Sequence, residues 1–321
     1  MGLYESVRER EMMLFSLGFP LFFIMMGIGF AVGALAVVLI LGTLSFVVVL
    51  ALIYAGVIRC SPILDFAERL VDLFLPGVKE KVADNIRKSL TVEGLPREGK
   101  KLFLFHPHGM FSTSHFFHIG TTLTSWPVRN VRPTAIYWGN YVPFGREIYE
   151  RFGAVSSDYE SMKAVLKGDG GDSLAVTLGG VREMLHIIPG VMKISIAKKY
   201  GIFRMAIETG VPLVPVLCYG ENEQFQLAEI WGLEWLHKWL ATRGLCIPIP
   251  SLASWRRWAQ LFSTGLETPV HSVIGDEVEV GKEREATDKE IIELRKKYIS
   301  AIKELYKKTR PSWYKDELVI I

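Results

Sequence analysis

Residues 101–109 read Lys-Leu-Phe-Leu-Phe-His-Pro-His-Gly, and this stretch carries both a fold signal and a chemical one. The apolar run at residues 102–105 predicts a buried strand, because short apolar runs that end in turn residues are typical of one. The proline and the glycine predict a tight turn directly after it. The two histidines, His106 and His108, are therefore expected at the end of a strand, where a general base can meet a substrate.

Three further apolar runs repeat this pattern along the chain, at residues 135–138, 174–178 and 213–218. The intervening stretches, such as residues 158–167 and 202–209, are long enough for helices. Strands that alternate with helices predict an α/β fold with a mainly parallel sheet. Functional sites in such a sheet form where strands end. Two glycine-containing pairs also follow apolar runs directly, Gly179-Gly180 and Gly220-Glu221.

Both flanks of this region have helical patterns. Residues 61–100 mix apolar and charged residues as an amphipathic helix does, with a break at Pro76-Gly77. Near the C-terminus, Thr287 and Glu290 have the spacing of a capping box. The apolar residues that follow share one helical face, which predicts a helix docked on the core through Ile291, Leu294, Tyr298, Ile302 and Leu305.

The N-terminal region contains 47 consecutive residues without a charge, at positions 12–58. One membrane crossing needs about 20 apolar residues, so the run predicts a hairpin of two transmembrane helices. Arginines precede and follow the run, which favours a hairpin with both ends in the cytoplasm. We therefore predict a membrane anchor at residues 1–60 and a cytoplasm-facing domain at residues 61–321. A single tilted span is the alternative.

The overall charge and the cysteine content argue against other classes of protein. The 321 residues carry a formal net charge of only +3, so bulk electrostatics do not indicate a nucleic-acid partner. The three cysteines, Cys60, Cys218 and Cys246, are widely spaced and give neither a disulfide framework nor a zinc pattern. This usage fits a reducing compartment.

Four of the seven histidines cluster within 13 residues, and they admit three interpretations: His106, His108, His115 and His118. Metal binding is one, since imidazole is a common metal ligand. A membrane di-iron oxygenase needs further histidine boxes, however, which the remaining three histidines do not supply, so we predict no metal site. General base catalysis is the second interpretation, because a neutral imidazole accepts a proton near pH 7. Packed or capping histidines are the third.

Two later segments suit an oxyanion or a phosphate. The pair Gly179-Gly180 precedes Glu183, and its amides could face an anion. Glu183 itself could orient an imidazole or simply favour the start of a helix. Lys199 and Arg204 flank Gly201, and cations beside a glycine suit phosphate binding. Such residues also begin ordinary surface helices.

Three motifs occur in the order that one enzyme family has them. The first is His106-Pro107-His108-Gly109 and the second consists of Gly179, Gly180 and Glu183. The third has lysine in place of arginine and isoleucine in place of phenylalanine, and includes Lys199, Gly201, Ile202, Arg204, Ala206, Gly210, Leu213, Val214 and Pro215. Over about residues 60–310, and in the preceding hairpin, the chain thereby resembles the type-2 diacylglycerol acyltransferases, a family that includes monoacylglycerol and wax-alcohol acyltransferases.

The resemblance implies a fold and an activity. The fold would be an α/β core like that of the glycerophosphate acyltransferases, behind an anchor in the endoplasmic reticulum membrane. The activity would be transfer of a fatty acyl group from acyl-CoA to diacylglycerol, giving triacylglycerol. No cofactor is implied beyond the acyl-CoA substrate. The motifs leave open whether the acceptor is instead monoacylglycerol or a fatty alcohol.

The resemblance also implies a role for each motif residue. His108 would be the general base and Glu183 its orienting partner, with His106 in a supporting or donor-side role. The turn and the backbone donors would come from Pro107, Gly109, Gly179 and Gly180. The acyl-CoA phosphates would be bound by Lys199, Gly201 and Arg204.

Residues 223–268 do not match the family pattern but contain five of the eight tryptophans, Trp231, Trp235, Trp239, Trp255 and Trp258. The first three recur every four residues and would share a helical face. Tryptophan mixed with cations suits a helix at the membrane surface, while a core-facing stripe is the alternative. A protein of another class, which binds lipid or coats lipid droplets without catalysis, would not need the intact histidine motif. The sequence is compatible with an oligomer.

Overall fold

The computed structural model describes residues 61–121, 123–136, 145–196, 199–228, 235–236, 239–240, 250–314 and 318–321. The uncharged run at residues 12–58 lies outside these ranges, so the hairpin stays a prediction. Within the ranges that are described, no helix is both long enough and apolar enough to cross a membrane.

The elements alternate along most of the chain. The main helices are α1 (Ser61–Phe74), α2 (Val78–Ser89), α3 (Thr113–Gly120), α4 (Gly145–Arg151), α5 (Tyr159–Lys167), α6 (Val181–Met184), α7 (Gly201–Thr209), α8 (Glu221–Gln224), α9 (Leu252–Ser263) and α10 (Asp288–Thr309). The strands are β1 (Leu90–Glu93), β2 (Leu102–His106), β3 (Val131–Ala135), β4 (Val155–Ser156), β5 (Ser173–Thr177), β6 (Lys193–Ile194), β7 (Leu213–Tyr219), β8 (Val270–Ile274) and β9 (Val319–Ile320).

A seven-stranded sheet of order β1-β8-β7-β2-β5-β3-β4 organises the domain. The neighbours from β7 to β4 are all parallel, and the pair β7–β8 is the antiparallel one. This confirms the predicted α/β fold with a mainly parallel sheet. Because β2, β5 and β7 are parallel and in register, with Phe105 opposite both Thr177 and Val216, their carboxyl ends meet at one edge. That edge carries the turn at residues 106–109, which is called the histidine turn.

Strand β2 is buried on both faces, which explains its unbroken apolar run. Phe103 and Phe105 belong to a core layer with residues of α1, α2, α3 and α9. Leu102 and Leu104 belong to the opposite layer, with residues of α5, α7 and α10. Since successive side chains of a strand point to opposite faces, the sheet lies between two layers of helices.

Several helix boundaries follow directly from the sequence. Helix α5, Tyr159–Lys167, lies within the predicted residues 158–167, and Asp158 caps its start by accepting a hydrogen bond from the Ser161 amide. Helix α10 begins with the predicted capping box, in which Thr287 and Glu290 bond each other reciprocally. Four of the five predicted stripe residues are buried and Leu305 packs against them, which confirms that α10 docks on the core.

Two predicted elements differ from the structure. A strand was predicted at residues 135–138, but β3 lies earlier in the chain and ends at Ala135. It forms there because residues 131–133 pair with β5, although they include Arg132 and Pro133. A polar strand of this kind has no hydrophobic signal. Residues 61–100 are not helical throughout, because β1 pairs in parallel with β8 before residue 100 is reached.

The tryptophan segment divides between surface and core. Trp258 is buried, and its ring stacks on that of Phe225 with 4.6 Å between centroids. Trp235 and Trp239 are 65% and 47% exposed, so a core-facing stripe does not describe these two residues. Trp231 lies outside the described residues.

Candidate active site

The histidine turn connects the end of β2 to the start of α3. Gly109 has a φ of +61°, in the left-handed region that favours glycine. A Cβ atom at this position would also lie 2.7 Å from Cγ of Glu221, closer than atoms can approach. The predicted turn-forming role of Gly109 therefore has two physical causes, its backbone conformation and the close approach of a buried side chain. Pro107, before it, is buried.

His108 is held in the tautomer that a general base requires. Its Nδ1 lies 2.8 Å from the carbonyl oxygen of Gly109, and a carbonyl only accepts, so Nδ1 carries the proton. The lone pair is consequently on Nε2. Burial lowers the pKa of His108 to about 4; the bond to Gly109 opposes this shift, and the charge of Lys199 adds to it. The imidazole is therefore neutral at pH 7 and able to accept a proton.

His106 has a different environment. It is fully buried, and its Nε2 lies 2.9 Å from the hydroxyl of Tyr298 on α10. Burial lowers the pKa of His106 to about 3, so this ring is also neutral. The contact joins the end of β2 to the C-terminal helix, which fits the supporting role more closely than a role in proton transfer.

Glu183 contacts the histidine turn through the backbone. Its Oε2 accepts a hydrogen bond of 2.6 Å from the amide of His108, and its Oε1 accepts one of 2.6 Å from the amide of Ser195. The prediction that this carboxylate contacts the imidazole is therefore corrected, because the ring nitrogen Nδ1 bonds Gly109 instead. Glu183 positions the base by holding its main chain.

The two glycines before Glu183 serve this arrangement. A Cβ atom at Gly179 would lie 2.1 Å from Oε2 of Glu183, so only glycine leaves space for the carboxylate. Gly180 has a φ of +60°, and its amide donates to the carbonyl of Thr177 at 3.3 Å. The Gly180 amide is thus engaged in a turn, which removes it from the predicted set of oxyanion donors.

The predicted acyl-CoA residues separate into two groups. The charge of Lys199 adds to the lowering of the His108 pKa and opposes the raising of the Glu183 pKa, so Lys199 lies near the histidine turn. Arg204 instead forms an ion pair of 3.2 Å with Asp288 at the start of α10. Gly201 begins α7, and a Cβ atom there would meet nothing within 4 Å. Lys199 therefore lies near the histidine turn, whereas the guanidinium of Arg204 is engaged at the start of α10.

Glu221 is a site residue to which sequence reasoning assigned no role. It is completely buried, and its two oxygens accept hydrogen bonds from the amides of Thr113 at 2.6 Å and Ser114 at 2.9 Å. These are the first two residues of α3. Burial raises the pKa of this carboxyl, and the hydrogen bonds from α3 oppose that shift. The available signal was its position directly after β7, at the edge where β2 also ends.

Glu183 and Glu221 therefore hold the histidine turn from two sides. Glu183 binds the amide of His108, while Glu221 contacts Gly109 and binds the start of α3. Carboxylates that accept two backbone hydrogen bonds fix a loop more tightly than a single side-chain contact does. The imidazole thus projects from a backbone that is anchored before and after it.

The sequence that forms this site matches a known protein family. Residues 85–320, most of the chain, match the family model of diacylglycerol acyltransferases. The chain belongs to this family. The match contains all three motifs and begins later than the resemblance predicted, so α1 lies outside it.

Relatives within the diacylglycerol acyltransferase family have two kinds of name. Diacylglycerol O-acyltransferase 2A of Umbelopsis ramanniana is 28% identical over 227 residues, which are 68% of this chain and 64% of that protein. The 2-acylglycerol O-acyltransferase 1 of Bos taurus is 28% identical over 221 residues, 64% of either chain. Matches to these two relatives thus span slightly less than two-thirds of their length. Among solved structures, the 1-acyl-sn-glycerophosphate acyltransferase PlsC of Thermotoga maritima is 19% identical with a TM-score of 0.40, covering 73% of this chain and 81% of that one.

Replacing Glu221 with alanine is expected to lower both stability and activity in this family member. Two buried amides would lose their acceptor, and each unsatisfied donor costs about 1–3 kcal/mol. The loosened turn would also displace His108, and a shift of about 1 Å costs roughly 10²-fold in rate. Thermal unfolding and initial rates in detergent measure the two effects. Glu293→Ala, on the exposed face of α10, is the matched control. Normal stability and turnover in Glu221→Ala would contradict the anchoring role.

Proposed function

We propose that the protein is an acyl-CoA-dependent O-acyltransferase that transfers a fatty acyl group to the hydroxyl of diacylglycerol. The observation that carries the proposal is the state of His108, a neutral imidazole with its proton fixed on Nδ1 by Gly109. This is the form that accepts a proton from an alcohol. Membership of the diacylglycerol acyltransferase family supports the same chemistry.

The reaction requires one proton to be moved twice. Nε2 of His108 takes the proton of the acceptor hydroxyl as its oxygen attacks the thioester carbonyl carbon. The tetrahedral intermediate then collapses, the bond from carbon to sulfur breaks, and the imidazolium returns the proton to the leaving CoA sulfur. The products are the new ester and free CoA thiol, and His108 regains its starting state.

Lys199 supports binding of the acyl donor. Its charge acts on both His108 and Glu183, so a cation lies beside the proposed base. A positive charge there would attract the phosphates of CoA or the developing oxyanion. Arg204 is a weaker candidate for the same role, since its guanidinium already pairs with Asp288.

Membrane attachment is part of the proposal. The uncharged run at residues 12–58 supports an anchor of two helices in the endoplasmic reticulum membrane, with the catalytic domain in the cytoplasm. Exposed Trp235 and Trp239 support an additional contact with the membrane surface, because tryptophan is enriched at the level of lipid headgroups. Such a site would receive its lipid acceptor directly from the bilayer or from a lipid droplet.

Monoacylglycerol is the second candidate acceptor. A 2-acylglycerol O-acyltransferase and a diacylglycerol O-acyltransferase are each 28% identical to this chain, so identity does not rank the two acceptors. A fatty alcohol is the third. All three share the primary or secondary hydroxyl that His108 would deprotonate.

An assay of microsomes containing the full chain, with labelled acyl-CoA and these three acceptors, tests the proposal. We expect labelled triacylglycerol as the main product with diacylglycerol, and none above background in His108→Ala microsomes. If the main product came from another acceptor, the proposed acceptor would be wrong and the proposed acyl transfer would still hold. Absence of ester with every acceptor, from protein that is present in the membrane, would favour a lipid-binding protein without catalysis.

A further inference from the structure

Helix α1 has an apolar face that the described domain leaves uncovered. Phe66, Leu70, Leu73 and Phe74 are 62%, 38%, 71% and 70% exposed, and Leu75 after them is 50% exposed. The spacing of the four helical residues puts them on one side of α1. These five residues are called the α1 stripe. Large apolar side chains exposed as one patch mark an interaction surface.

The orientation of α1 is fixed by its other two sides. Leu64 is buried in the core layer that also contains Met110 and Phe111, the residues directly after the histidine turn. Asp65 pairs with Arg151 on α4, and Lys79 on α2 binds both Glu68 at 3.3 Å and Asp72 at 2.5 Å. The helix is thereby held on the domain with the α1 stripe outward.

The chain before α1 indicates what covers the stripe. The uncharged run ends at Ile58, three residues before Ser61, and three residues span at most about 10 Å. If the run lies in a bilayer, as the proposed function holds, α1 begins within that distance of the bilayer surface. An apolar helical face at that depth is buried about 5–10 Å into the boundary of headgroups and acyl chains.

We propose that the α1 stripe docks the catalytic domain on the lipid bilayer, as a contact separate from the anchor at residues 12–58. The inference rests on the membrane attachment in the proposed function. Docking through α1 would fix the orientation of the histidine turn relative to the membrane, because Leu64 and Met110 belong to one closely packed core layer.

Quenching by lipids tests the proposal on the full chain in phosphatidylcholine vesicles. Cys60 and Cys246 are changed to serine, Cys218 is buried, and a fluorophore is attached at Leu73→Cys or, as the control on the charged side, at Arg69→Cys. Shallow doxyl-labelled lipid should quench the probe at position 73 at least about twofold more than the probe at position 69.

The possible outcomes distinguish a failure of docking through α1 from a failure of the proposed membrane attachment and acyl transfer. Equal quenching at the two positions, in protein that resists alkaline carbonate extraction, would overturn docking through α1 and leave the anchor and the acyl transfer intact. A probe at position 73 that is shielded from both water and lipid would also overturn it, because a segment of the chain or a second copy would then cover the stripe. Extraction of the wild-type chain by carbonate would refute the membrane attachment itself. The microsome assay reports the chemistry independently.

Discussion

Replacing His108 with alanine is expected to reduce acyl transfer by about 10²–10⁴-fold, the usual effect of removing a general base. Nε2 of His108 is the proposed acceptor of the hydroxyl proton, and its lone pair is fixed by the bond from Nδ1 to Gly109. Among the residues that the structure describes, the side chain makes no other hydrogen bond that holds the turn, so expression and thermal stability should stay near those of the wild type. Initial rates with saturating acyl-CoA and acceptor measure the loss.

Two histidine variants serve as controls for this result. His186→Ala changes an exposed histidine after α6 and should keep the wild-type rate. His106→Ala removes the buried contact with Tyr298 and should lower the unfolding temperature more than the turnover of the folded fraction. A folded His106→Ala enzyme without turnover, together with an active His108→Ala enzyme, would reverse the assignment of the base.

The pH dependence of the rate follows from the same residue. Burial lowers the pKa of His108 to about 4, so the neutral form that accepts a proton persists far below pH 6.5. The rate at low substrate concentration should therefore fall only as the pH approaches about 4. A fall centred near the ordinary histidine value would indicate that the imidazole is solvated in the working enzyme.

Replacing Glu183 with glutamine is expected to lower the rate roughly 10–10²-fold by displacing His108. The carboxylate accepts hydrogen bonds from the amides of His108 and Ser195, and an amide side chain has one oxygen for the two donors. One buried N–H is left unpaired beside the NH₂ group of the glutamine. Glu160→Gln, at the exposed start of α5, is the matched control.

A double variant distinguishes positioning from an independent catalytic role. Because Glu183 acts through the main chain of His108, the variant that also carries His108→Ala should be little slower than His108→Ala alone. Losses that multiply would mean that Glu183 contributes to the transition state by another route.

Glu183 also makes stability depend on pH. Burial raises its pKa from 4.5 to about 7, against opposing effects of the two amides and of Lys199. The folded chain then binds this proton more tightly than the unfolded chain, so the contribution of Glu183 to stability is greatest below about pH 4.5 and declines as the pH rises to about 7. The stability of the wild type relative to Glu183→Gln should therefore fall as the pH rises from about 4.5 to about 7, measured as the difference between their unfolding temperatures in detergent. Equal slopes would exclude Glu183 as the titrating group.

The sequence predicted those parts of the fold that depend on local patterns. The run before His106, the helix in residues 158–167 and the capping box at Thr287 each depend on residues that are close in sequence, and each is found in the structure. Strand β3 was displaced in the prediction because pairing with β5, rather than hydrophobicity, makes residues 131–133 a strand.

The sequence indicated the residues of the candidate site more fully than the contacts between them. His108 and Glu183 do meet, but whether the carboxylate binds a ring or an amide depends on how two turns face each other across 75 residues. Arg204 pairs with Asp288, 84 positions away, which no motif spacing encodes. Glu221 lacked an assigned role because its partners are main-chain amides, and these leave no trace in the sequence.

The two buried carboxylates have a consequence for how this loop can vary between proteins. Four of the hydrogen bonds to these carboxylates come from main-chain amides, those of His108, Ser195, Thr113 and Ser114. Any residue except proline supplies that donor, so these anchors constrain the backbone and not the chemical identity of the side chains beside them. Side chains at Thr113 and Ser114 can therefore change, to any residue except proline, while these four bonds still hold the backbone of His108 in place.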